Sequence, residues 1–521
     1  MRMSVGRASL FMIVTLVVSR ILGWLRLSVI GARYAQTPDL DAFLAAFRIP
    51  DALFNLLVAG ALASAFIPVF TGYLAKERED EAWRVASSVL NAIVLLLVVV
   101  SAIMWVVAPW VMPVLAPFAD PQQAALTLEL TRIMLLSPIF MGLSALFTGI
   151  LNSYRQFLSG ATAPIVYNLV IILFAVFLTP FLGIEALAWG TVAGALMMWL
   201  VQVPELTFRR TRYKVTLDLF HPGVQEIVRL TVPRTLALGA VQLVFIVDTI
   251  LAARLPQGSL TALNYAFQLM QLPLGVFSIA ISAAVFPALS HFASLGQQAR
   301  MRDALQQGIR WILFLTLPTV VMMIVLRRPI VNLLFQYGQF GAQEREATQE
   351  AFLYYSFGLA GHALIQILAR AFYASRDTKT PLALTLVSIG TNISLSVLLT
   401  PLYGVNGLAL ANSIATLAEA ALFVVLLAPR ARLRLVGLGM SSVKVVATSL
   451  LMGVVMFLFI RVTNLTVDLD QTKVGLFLQT AVAMAVGGAV YLAASSLLRV
   501  AELAEIMAVV RARLRRERGS P

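Results

Sequence analysis

The sequence of 521 residues contains no cysteine and only three histidines, and both features exclude classes of function. Without cysteine the chain has no disulfide, no thiol nucleophile and no thiolate-bound metal. The histidines (His221, His291 and His362) are too scattered to indicate a histidine-based metal site. The sequence also lacks a GxxxxGK[ST] loop, so nucleotide hydrolysis by this chain is not expected. We therefore do not expect an enzyme.

Charged residues are also scarce, at 12% of the chain, whereas hydrophobic residues make up 60%. Apolar runs of about 20 residues, which suffice to cross a hydrocarbon core of about 30 Å, recur along the whole sequence. The expected fold class is an all-α integral membrane protein with fourteen transmembrane helices. The predicted spans are 8–33, 41–73, 84–116, 124–153, 160–181, 184–207, 222–253, 260–292, 305–336, 347–374, 380–402, 405–428, 439–461 and 473–498.

Lysines and arginines between these spans concentrate on one side of the membrane. If both termini are cytoplasmic, the outside segments contain only Arg33, Arg254, Arg345, Arg461 and Lys473. This asymmetry follows the positive-inside rule and predicts cytoplasmic termini. The net charge of +14 is then mainly a topology signal and an attraction to anionic lipid, not a sign of nucleic-acid binding. The first apolar run shows no cleavage site, so we interpret it as a retained span.

A span junction occurs twice. Residues 179–188 (TPFLGIEALA) and 400–409 (TPLYGVNGLA) have the same pattern, and each follows a tyrosine, a basic loop, a proline and an in-span asparagine. Two copies in one orientation indicate two six-helix lobes related by an axis along the membrane normal, a parallel-repeat plan with the substrate site between the lobes. The predicted domains are an N-lobe (1–215), a C-lobe (216–430), spans 13 and 14 (431–498) and a basic cytoplasmic tail (499–521).

Three arginines lie in or near the first two spans, where a charge is costly unless it faces a wet cavity or a partner. Arg20 and Arg26 are six residues apart, so they share a cavity only if it is wide or if α-helical geometry bends at Gly23. Guanidinium groups bind phosphate oxygens in a bidentate fork, so Arg20, Arg26 and Arg48 suit a phosphate or pyrophosphate. The alternative is that they form fixed ion pairs with Asp39, Asp41 and Asp51, or snorkel to the surface.

A second polar group is predicted in the C-lobe. Asp248 lies in an apolar stretch, and Asn392, Ser396 and Asn412 supply neutral oxygens, with Asn392 and Ser396 one helical turn apart. This set suits a monovalent cation such as Na⁺, or Asp248 carries a proton. An ordinary structural role for Asp248, by pairing with Arg234 or by hydrogen bonding, is the alternative. Glu419 and His362 are interpreted as satisfied interhelical polar groups.

Several segments carry a resemblance to a known family. They are SRILG at 19–23, DAF at 41–43 with FRIP at 47–50, GAL at 60–62 with AFIP at 65–68, NSY at 152–154 and RAFYASRDTKTP at 370–381. In these segments the chain resembles the MurJ (MviN) lipid II flippases of the multidrug/oligosaccharidyl-lipid/polysaccharide exporter superfamily. The resemblance extends over all fourteen predicted spans.

The resemblance implies a V-shaped pair of lobes, a cationic cavity for the pyrophosphate and sugar-peptide headgroup, and a groove of spans 13 and 14 for the polyprenyl tail. It assigns substrate binding to Arg20, Arg26, Asp41 and Arg48, with Gln268 at another cavity position. Asp248 and Asn392 match sodium-site positions of some members. No resident cofactor is implied beyond Na⁺ or H⁺ as a coupling ion, and the implied location is the bacterial inner membrane.

The chain also departs from the family pattern at positions that are usually charged. Leu27, Phe54, Asn55, Ala59 and Gln268 stand where many members carry charged residues, and Ser396 replaces a second carboxylate of the sodium-binding members. The cavity is thus less cationic than the family norm, and ion coupling is put in question.

The predicted function is therefore movement of undecaprenyl-pyrophosphate-linked peptidoglycan precursor from the inner to the outer leaflet by alternating access. A flippase for another polyprenyl-linked glycan is the first alternative. A drug/cation antiporter, which needs no lipid-tail groove, is the second, and a non-transporting membrane scaffold is the third.

Overall fold

The fold is described from a computed structural model, which covers residues 5–59, 62–207, 212–335, 341–466 and 472–505. Regular secondary structure in these ranges is entirely helical. The first part of the chain contains α1 (Val5–Tyr34), α2 (Pro38–Phe54), α3 (Leu62–Ala75), α4 (Glu79–Leu115), α5 (Pro121–Met134), α6 (Ser137–Ser153), α7 (Leu158–Phe177), α8 (Thr179–Leu182), α9 (Glu185–Leu200) and α10 (Val203–Thr207). The remainder contains α11 (Pro222–Ala252), α12 (Ser259–Pro273), α13 (Ile279–Ser294), α14 (Gln298–Phe335), α15 (Ala342–Ala374), α16 (Lys379–Tyr403), α17 (Val405–Ala431), α18 (Leu435–Thr466) and α19 (Lys473–Leu497).

Several sequence predictions concern residues outside these ranges. They are Gly60 and Ala61 of the GAL segment, Arg209 and Arg210 between the predicted spans 6 and 7, and the tail arginines Arg511, Arg513, Arg515, Arg516 and Arg518.

Twelve helices of the described chain are long and apolar enough to cross a membrane. Two shorter apolar stretches, Ala65–Ala75 and Leu238–Ala252, overlap the predicted spans 2 and 7. The prediction of an all-α, multi-span membrane protein is therefore confirmed. The count of fourteen spans stays a prediction.

Helix starts follow from capping residues in the sequence. Thr37, Asp120 and Thr472 each accept a backbone N–H of the first turn, at Leu40, Gln122 and Gly475. In two of these helices a proline occupies the first helical position, where the missing N–H has no intrahelical partner to lose.

The internal repeat is visible in the backbone. From Thr179 to Thr400 the offset is 221 residues, and the glycines at the same offset, Gly183 and Gly404, both have φ 56°, with ψ −138° and −135°. This conformation is open almost only to glycine. Two π-helical segments, Asn55–Ala59 after α2 and Leu274–Ser278 after α12, also occupy matching places in the order of elements.

The described residues form two compact units, one up to Thr261 and one from Ala262 onward. In the first unit α7 packs against α1 and α9, α2 packs against α5, and α11 packs against α3 and α4. In the second unit α15, α16 and α17 pack together, and α14 packs against α15, α18 and α19. The predicted lobe boundary at 215/216 follows the repeat, and it stays a prediction.

An aromatic cluster in the first unit explains one of the family-like segments. Phe70 lies 5.2 Å from Phe66, 6.1 Å from Trp83 and 5.8 Å from Tyr154 between ring centroids. Trp83 Nε1 donates to the Tyr154 hydroxyl at 3.0 Å, and that hydroxyl donates to Glu79 Oε1 at 2.9 Å. Buried aromatic groups with satisfied polar ends are well-defined packing elements. Tyr154 of the NSY segment therefore joins α4 to the end of α6.

Candidate functional site

Arg20 and Arg26 lie on α1, which is helical without interruption from Val5 to Tyr34. Arg20 is exposed and Arg26 is half-buried. Neither arginine forms an ion pair within 4.0 Å with any residue that the structure describes. Among the described residues, Arg20 and Arg26 therefore do not form the fixed ion pairs that the alternative interpretation predicts.

Gly23, between them, lies where α1 packs against α7. Its nearest neighbour is the Asn168 side chain, 3.9 Å from the position that a Cβ would occupy. Asn168 Nδ2 donates to the carbonyls of Ser19 at 3.4 Å and of Pro164 at 2.9 Å. The in-span asparagine of the first repeat thus fixes α7 against the helix that carries both arginines.

Arg26 also contacts α7 through its guanidinium group. Its Cζ lies 5.8 Å from the centroid of the Tyr167 ring. Such a cation–π contact orients a guanidinium without neutralising it. Tyr167 is within electrostatic range of Asp51 as well as of Arg26.

Arg48 is positioned by α11. Its Nε donates to Thr249 Oγ1 at 2.9 Å, and its Cζ lies 5.3 Å from the centroid of the Phe245 ring. Arg48 is also within electrostatic range of Asp51, one helical turn further along α2. We refer to Arg26, Tyr167, Asp51 and Arg48, which these contacts and electrostatic interactions relate to one another, as the polar line of the first unit.

The sequence pattern did not indicate Tyr167 as a site residue, and it indicated Asp51 only as a partner in an ion pair. The available signal for Tyr167 was its position next to Asn168, the asparagine of the repeat. For Asp51 the signal was its place immediately after the proline that follows Arg48-Ile49.

Asp41 is buried, with 3% of its surface exposed, and its carboxylate is fully engaged. Oδ1 accepts from the backbone N–H of Thr261 at 2.8 Å and from its hydroxyl at 2.6 Å, and Oδ2 accepts from Gly258 N–H at 2.7 Å. These donors belong to the start of α12, so Asp41 acts as a cap supplied by α2. Gly258, with φ 84°, has no room for a side chain against Gln36. The predicted contact of Asp41 with substrate stays a prediction.

Gln268 lies on α12 in the second unit, where its Nε2 donates to Asn264 Oδ1 at 2.7 Å. The two amides are one helical turn apart and hold each other on one face of the helix. The substrate contact predicted for Gln268 stays a prediction.

The residues of the predicted ion site fall in both units. Asp248 is buried on α11 in the first unit, and the side chain of Arg234, its suggested partner, is not described. Asn392 and Ser396 are both buried on α16 in the second unit. The Oδ1 atom of Asn392 is buried and accepts no hydrogen bond from any described residue, which suits an oxygen ligand. Asn412 Oδ1 instead lies 3.0 Å from His362 Nε2. The ion site stays a prediction.

His362 and Glu419 are interhelical polar groups, as predicted. His362 on α15 contacts Asn412 and, at 3.4 Å, Thr416 Oγ1 on α17. Glu419 Oε1 on α17 accepts from the Thr385 hydroxyl on α16 at 2.9 Å. Both residues join neighbouring helices of the second unit.

The RDTKTP segment forms the start of α16. Asp377 Oδ1 accepts from Lys379 N–H at 3.1 Å and Thr380 N–H at 3.0 Å, and Oδ2 accepts from the Thr380 hydroxyl at 2.6 Å. The hydrogen bonds from Thr380 hold the pKa of the Asp377 carboxyl below its ordinary value, with a smaller contribution from Arg430 at 3.0 Å. This segment is a helix cap in the connection between α15 and α16.

Comparison with known proteins gives one consistent family. The family model described as "Lipid II flippase MurJ" matches residues 30–477. The lipid II flippase MurJ of Burkholderia cenocepacia is 33% identical over 401 residues, which cover 75% of this chain and 78% of that protein.

Solved structures show the same fold. A lipid II flippase MurJ in an inward closed conformation matches with a TM-score of 0.78 at 24% identity, covering 94% of this chain and 98% of the other. An inward-facing multidrug resistance MATE family transporter of the MOP superfamily matches with a TM-score of 0.66 at 15% identity, covering 82% of this chain and 99% of the other.

Proposed function

Because the chain belongs to the MurJ family of lipid II flippases, we propose that it moves lipid II from the inner to the outer leaflet by alternating access. The resemblance found in the sequence is thereby confirmed as family membership. The chain is a multi-pass membrane protein of a transporter family. We further place it in the bacterial inner membrane with both termini cytoplasmic, and expect transport without catalysis.

The observation that supports a role in headgroup binding is the polar line of the first unit. Arg26 is held by the Tyr167 ring and is not neutralised by an ion pair among the described residues. A guanidinium in this state offers paired N–H donors and a positive charge, which match a pyrophosphate. Arg48 adds a second guanidinium whose orientation is set by Thr249 and Phe245. Arg20, on the same helix as Arg26, is the third member of the proposed site.

Asp51 and Tyr167 have a positioning role in this proposal. Asp51 lies within electrostatic range of Arg48 and of Tyr167, so it limits the net positive charge of the line. A site that binds and releases an anion requires attraction strong enough for capture and weak enough for exit. Leu27, Phe54 and Asn55 are uncharged residues at positions that are usually charged in the family, and they also limit the positive charge near the site.

The experiment is complementation of a bacterial strain depleted of its lipid II flippase, scored together with the amount of lipid II in the outer leaflet. Wild type, Arg26→Ala, Arg26→Lys and Arg33→Ala are compared at equal expression. Arg33 is a matched control, because it lies on the same helix but is exposed and donates to the Val176 carbonyl at 3.2 Å.

We expect wild type and Arg33→Ala to complement and Arg26→Ala to lower flipping by at least about tenfold, since a hydrogen bond to a charged group contributes about 1.5–3 kcal/mol. Arg26→Lys keeps the charge and loses the fork, so an intermediate rate is expected. Wild-type flipping by Arg26→Ala would contradict the proposed site. Failure of well-expressed wild type would contradict lipid II as the substrate and favour another polyprenyl-linked glycan or a drug/cation substrate.

A further inference from the structure

A cleft of about 530 Å³ lies in the first unit, where α5 packs against both α4 and α9. Most of its lining comes from α5 between Ala125 and Ile133, and Leu136 just beyond that helix extends it. Trp105 of α4 and Trp189 of α9 complete the lining. Ligand sites commonly have volumes of about 300–1,000 Å³ and mostly apolar walls, so this cleft has the size and composition of a ligand site.

The cleft is open to the lipid that surrounds the protein. Trp105, Leu136 and Trp189 are 49%, 44% and 42% exposed. All three lie in helical stretches that are apolar and long enough to cross a membrane. Exposed apolar side chains on such helices face lipid, and tryptophan in particular is enriched near the membrane interface. A lipid molecule therefore has direct access to this cleft.

Two opposite charges line the same cleft without pairing. Glu129 and Arg132 are one helical turn apart on α5, yet neither forms an ion pair within 4.0 Å with any described residue. The Cζ atom of Arg132 lies 4.5 Å from the centroid of the Trp105 ring, a contact that orients a guanidinium without neutralising it. The buried Nε of Arg132 has no hydrogen-bond partner among the described residues. Because charged groups in membrane-spanning segments are costly unless they have partners, this pair requires a ligand with one charge of each sign.

The predicted topology places the cleft in the outer half of the membrane. The starts of α5 and α9 are both predicted to lie outside, by the positive-inside asymmetry. Glu129 is eight residues beyond Pro121 and Trp189 is four residues beyond Glu185, so they lie about 12 Å and about 6 Å along their helices from these starts. Half of a hydrocarbon core is about 15 Å thick. The cleft is thus within reach of headgroups of the outer leaflet.

We propose that this cleft binds a zwitterionic phospholipid with a primary ammonium group, a phosphatidylethanolamine of the outer leaflet. Its ammonium donates to the Glu129 carboxylate, its phosphate accepts from the Arg132 guanidinium, and its hydrocarbon contacts Trp105 and Leu136. Residues 129 and 132 are about 4.5 Å apart along the helix axis, so one headgroup can contact both side chains. An anionic lipid without an ammonium group leaves Glu129 without a partner and is repelled by its charge. The site goes beyond the proposed function, because it uses no residue of the polar line and requires no transported substrate.

The test is native mass spectrometry of the full chain in detergent, titrated with phosphatidylethanolamine, phosphatidylcholine or phosphatidylglycerol of the same chains, or with soluble phosphoethanolamine. The site variants are Glu129→Gln and Arg132→Gln, and Ala125→Trp fills the cleft without changing a charge. The matched controls are Glu185→Gln and Arg33→Gln, which remove one charge of each sign at the predicted outer ends of α9 and α1, away from the lining. Melting temperatures of all the proteins are measured in parallel.

We expect wild type and both controls to bind phosphatidylethanolamine at least about tenfold more tightly than phosphatidylglycerol, because only the former gives Glu129 a charged hydrogen-bond donor. Glu129→Gln should abolish this preference without weakening phosphatidylglycerol binding. Arg132→Gln should weaken the binding of both lipids, since both carry a phosphate. Ala125→Trp should weaken phosphatidylethanolamine binding, and phosphatidylcholine, whose ammonium has no N–H, should bind wild type more weakly than phosphatidylethanolamine does.

Equal affinity of wild type for phosphatidylethanolamine and phosphatidylglycerol would overturn the proposal. An unchanged preference in folded Glu129→Gln would also overturn it, and this result does not depend on whether Arg132→Gln folds. Equal binding of phosphatidylcholine and phosphatidylethanolamine would contradict recognition of a primary ammonium group. Displacement of phosphatidylethanolamine by equimolar phosphoethanolamine, with no effect of Ala125→Trp, would identify a site for a soluble zwitterion instead of a lipid.

Discussion

Asp39 and Asp41 are two residues apart in the first turn of α2, yet their surroundings are opposite. Asp39 is exposed, whereas Asp41 is buried and accepts three hydrogen bonds from Gly258 and Thr261. A carboxylate that satisfies three donors in a buried place stabilises the start of α12, and its removal leaves those donors without a partner.

We predict that Asp41→Ala lowers the free energy of unfolding by about 2 kcal/mol or more, since a buried unsatisfied donor costs about 1–3 kcal/mol. The measurement is thermal unfolding of purified protein in detergent, followed by tryptophan fluorescence. Asp39→Ala is the matched control and should unfold at the wild-type temperature. A wild-type melting temperature for Asp41→Ala would show that these hydrogen bonds contribute little.

The residue scale also marks a limit of sequence reasoning. The cationic character of Arg20, Arg26 and Arg48 is evident in the sequence, because arginine in an apolar run is rare and costly. The hydrogen-bond partners of Asp41 and Arg48 are not evident in the sequence, because Thr261 and Thr249 are more than 200 residues away along the chain. Only the packing of α2 with α11 and the loop after it brings them together.

At the scale of elements, Gly404 closes α16 and begins α17 with φ 56° and ψ −135°. A side chain in this region of the backbone map costs about 1–3 kcal/mol. Gly390, in the middle of α16, has open space at its Cβ position and ordinary helical geometry.

Gly404→Ala should therefore lower the melting temperature, and Gly390→Ala should leave it unchanged or raise it, because alanine has the higher helix propensity by about 1 kcal/mol. The pair differs only in the backbone conformation of the replaced glycine. Equal melting temperatures of the two variants would contradict the inference that the backbone conformation at residue 404 requires glycine.

The cap of α16 gives a prediction about pH. Hydrogen bonds from Thr380 lower the pKa of Asp377, so the ionised carboxylate stabilises the folded state above the unfolded pKa of about 3.9. This stabilisation is lost as the pH falls through the lower, folded pKa. The difference in stability between wild type and Asp377→Ala should be constant from pH 7 to pH 5 and should shrink below about pH 4.

Chemical denaturation of both proteins across this pH range measures that difference. Asp303→Ala is the control, because Asp303 is an exposed residue whose ion pair among the described residues is with its neighbour Arg302. If the stability difference between wild type and Asp377→Ala increased as the pH fell, the direction of the pKa shift would be contradicted.

The elements were the most predictable part of the fold. Long apolar runs located the helices, and the TP-x-x-G junctions located the repeat, because both depend on local sequence. The π-helical segments were not predicted, since nothing in NLLVA or LGVFS distinguishes a π turn from an α turn. Spans 2 and 7 are the two that yield only short apolar helices.

At the scale of the whole molecule, the absence of cysteine makes the topology directly testable. Single cysteines at positions 77 and 298 are predicted to be cytoplasmic, and those at positions 119 and 257 to lie outside. All four positions are exposed in connections or at a helix start.

A membrane-impermeant maleimide applied to intact spheroplasts should label Ala119→Cys and Gln257→Cys, and it should label Glu77→Cys and Gln298→Cys only after lysis. The cysteine-free parent provides the background. The reverse pattern would invert the orientation, and a mixed pattern would show that the predicted span count is wrong.

The positions of the two π-helical segments bear on how the internal repeat of the chain evolved. From Asn55 to Leu274 the offset is 219 residues, and the prolines that follow, Pro68 and Pro287, differ by the same number. A π turn corresponds to one extra residue within a helix. Because both halves carry it at the same place, the simplest history is that the insertion preceded the duplication.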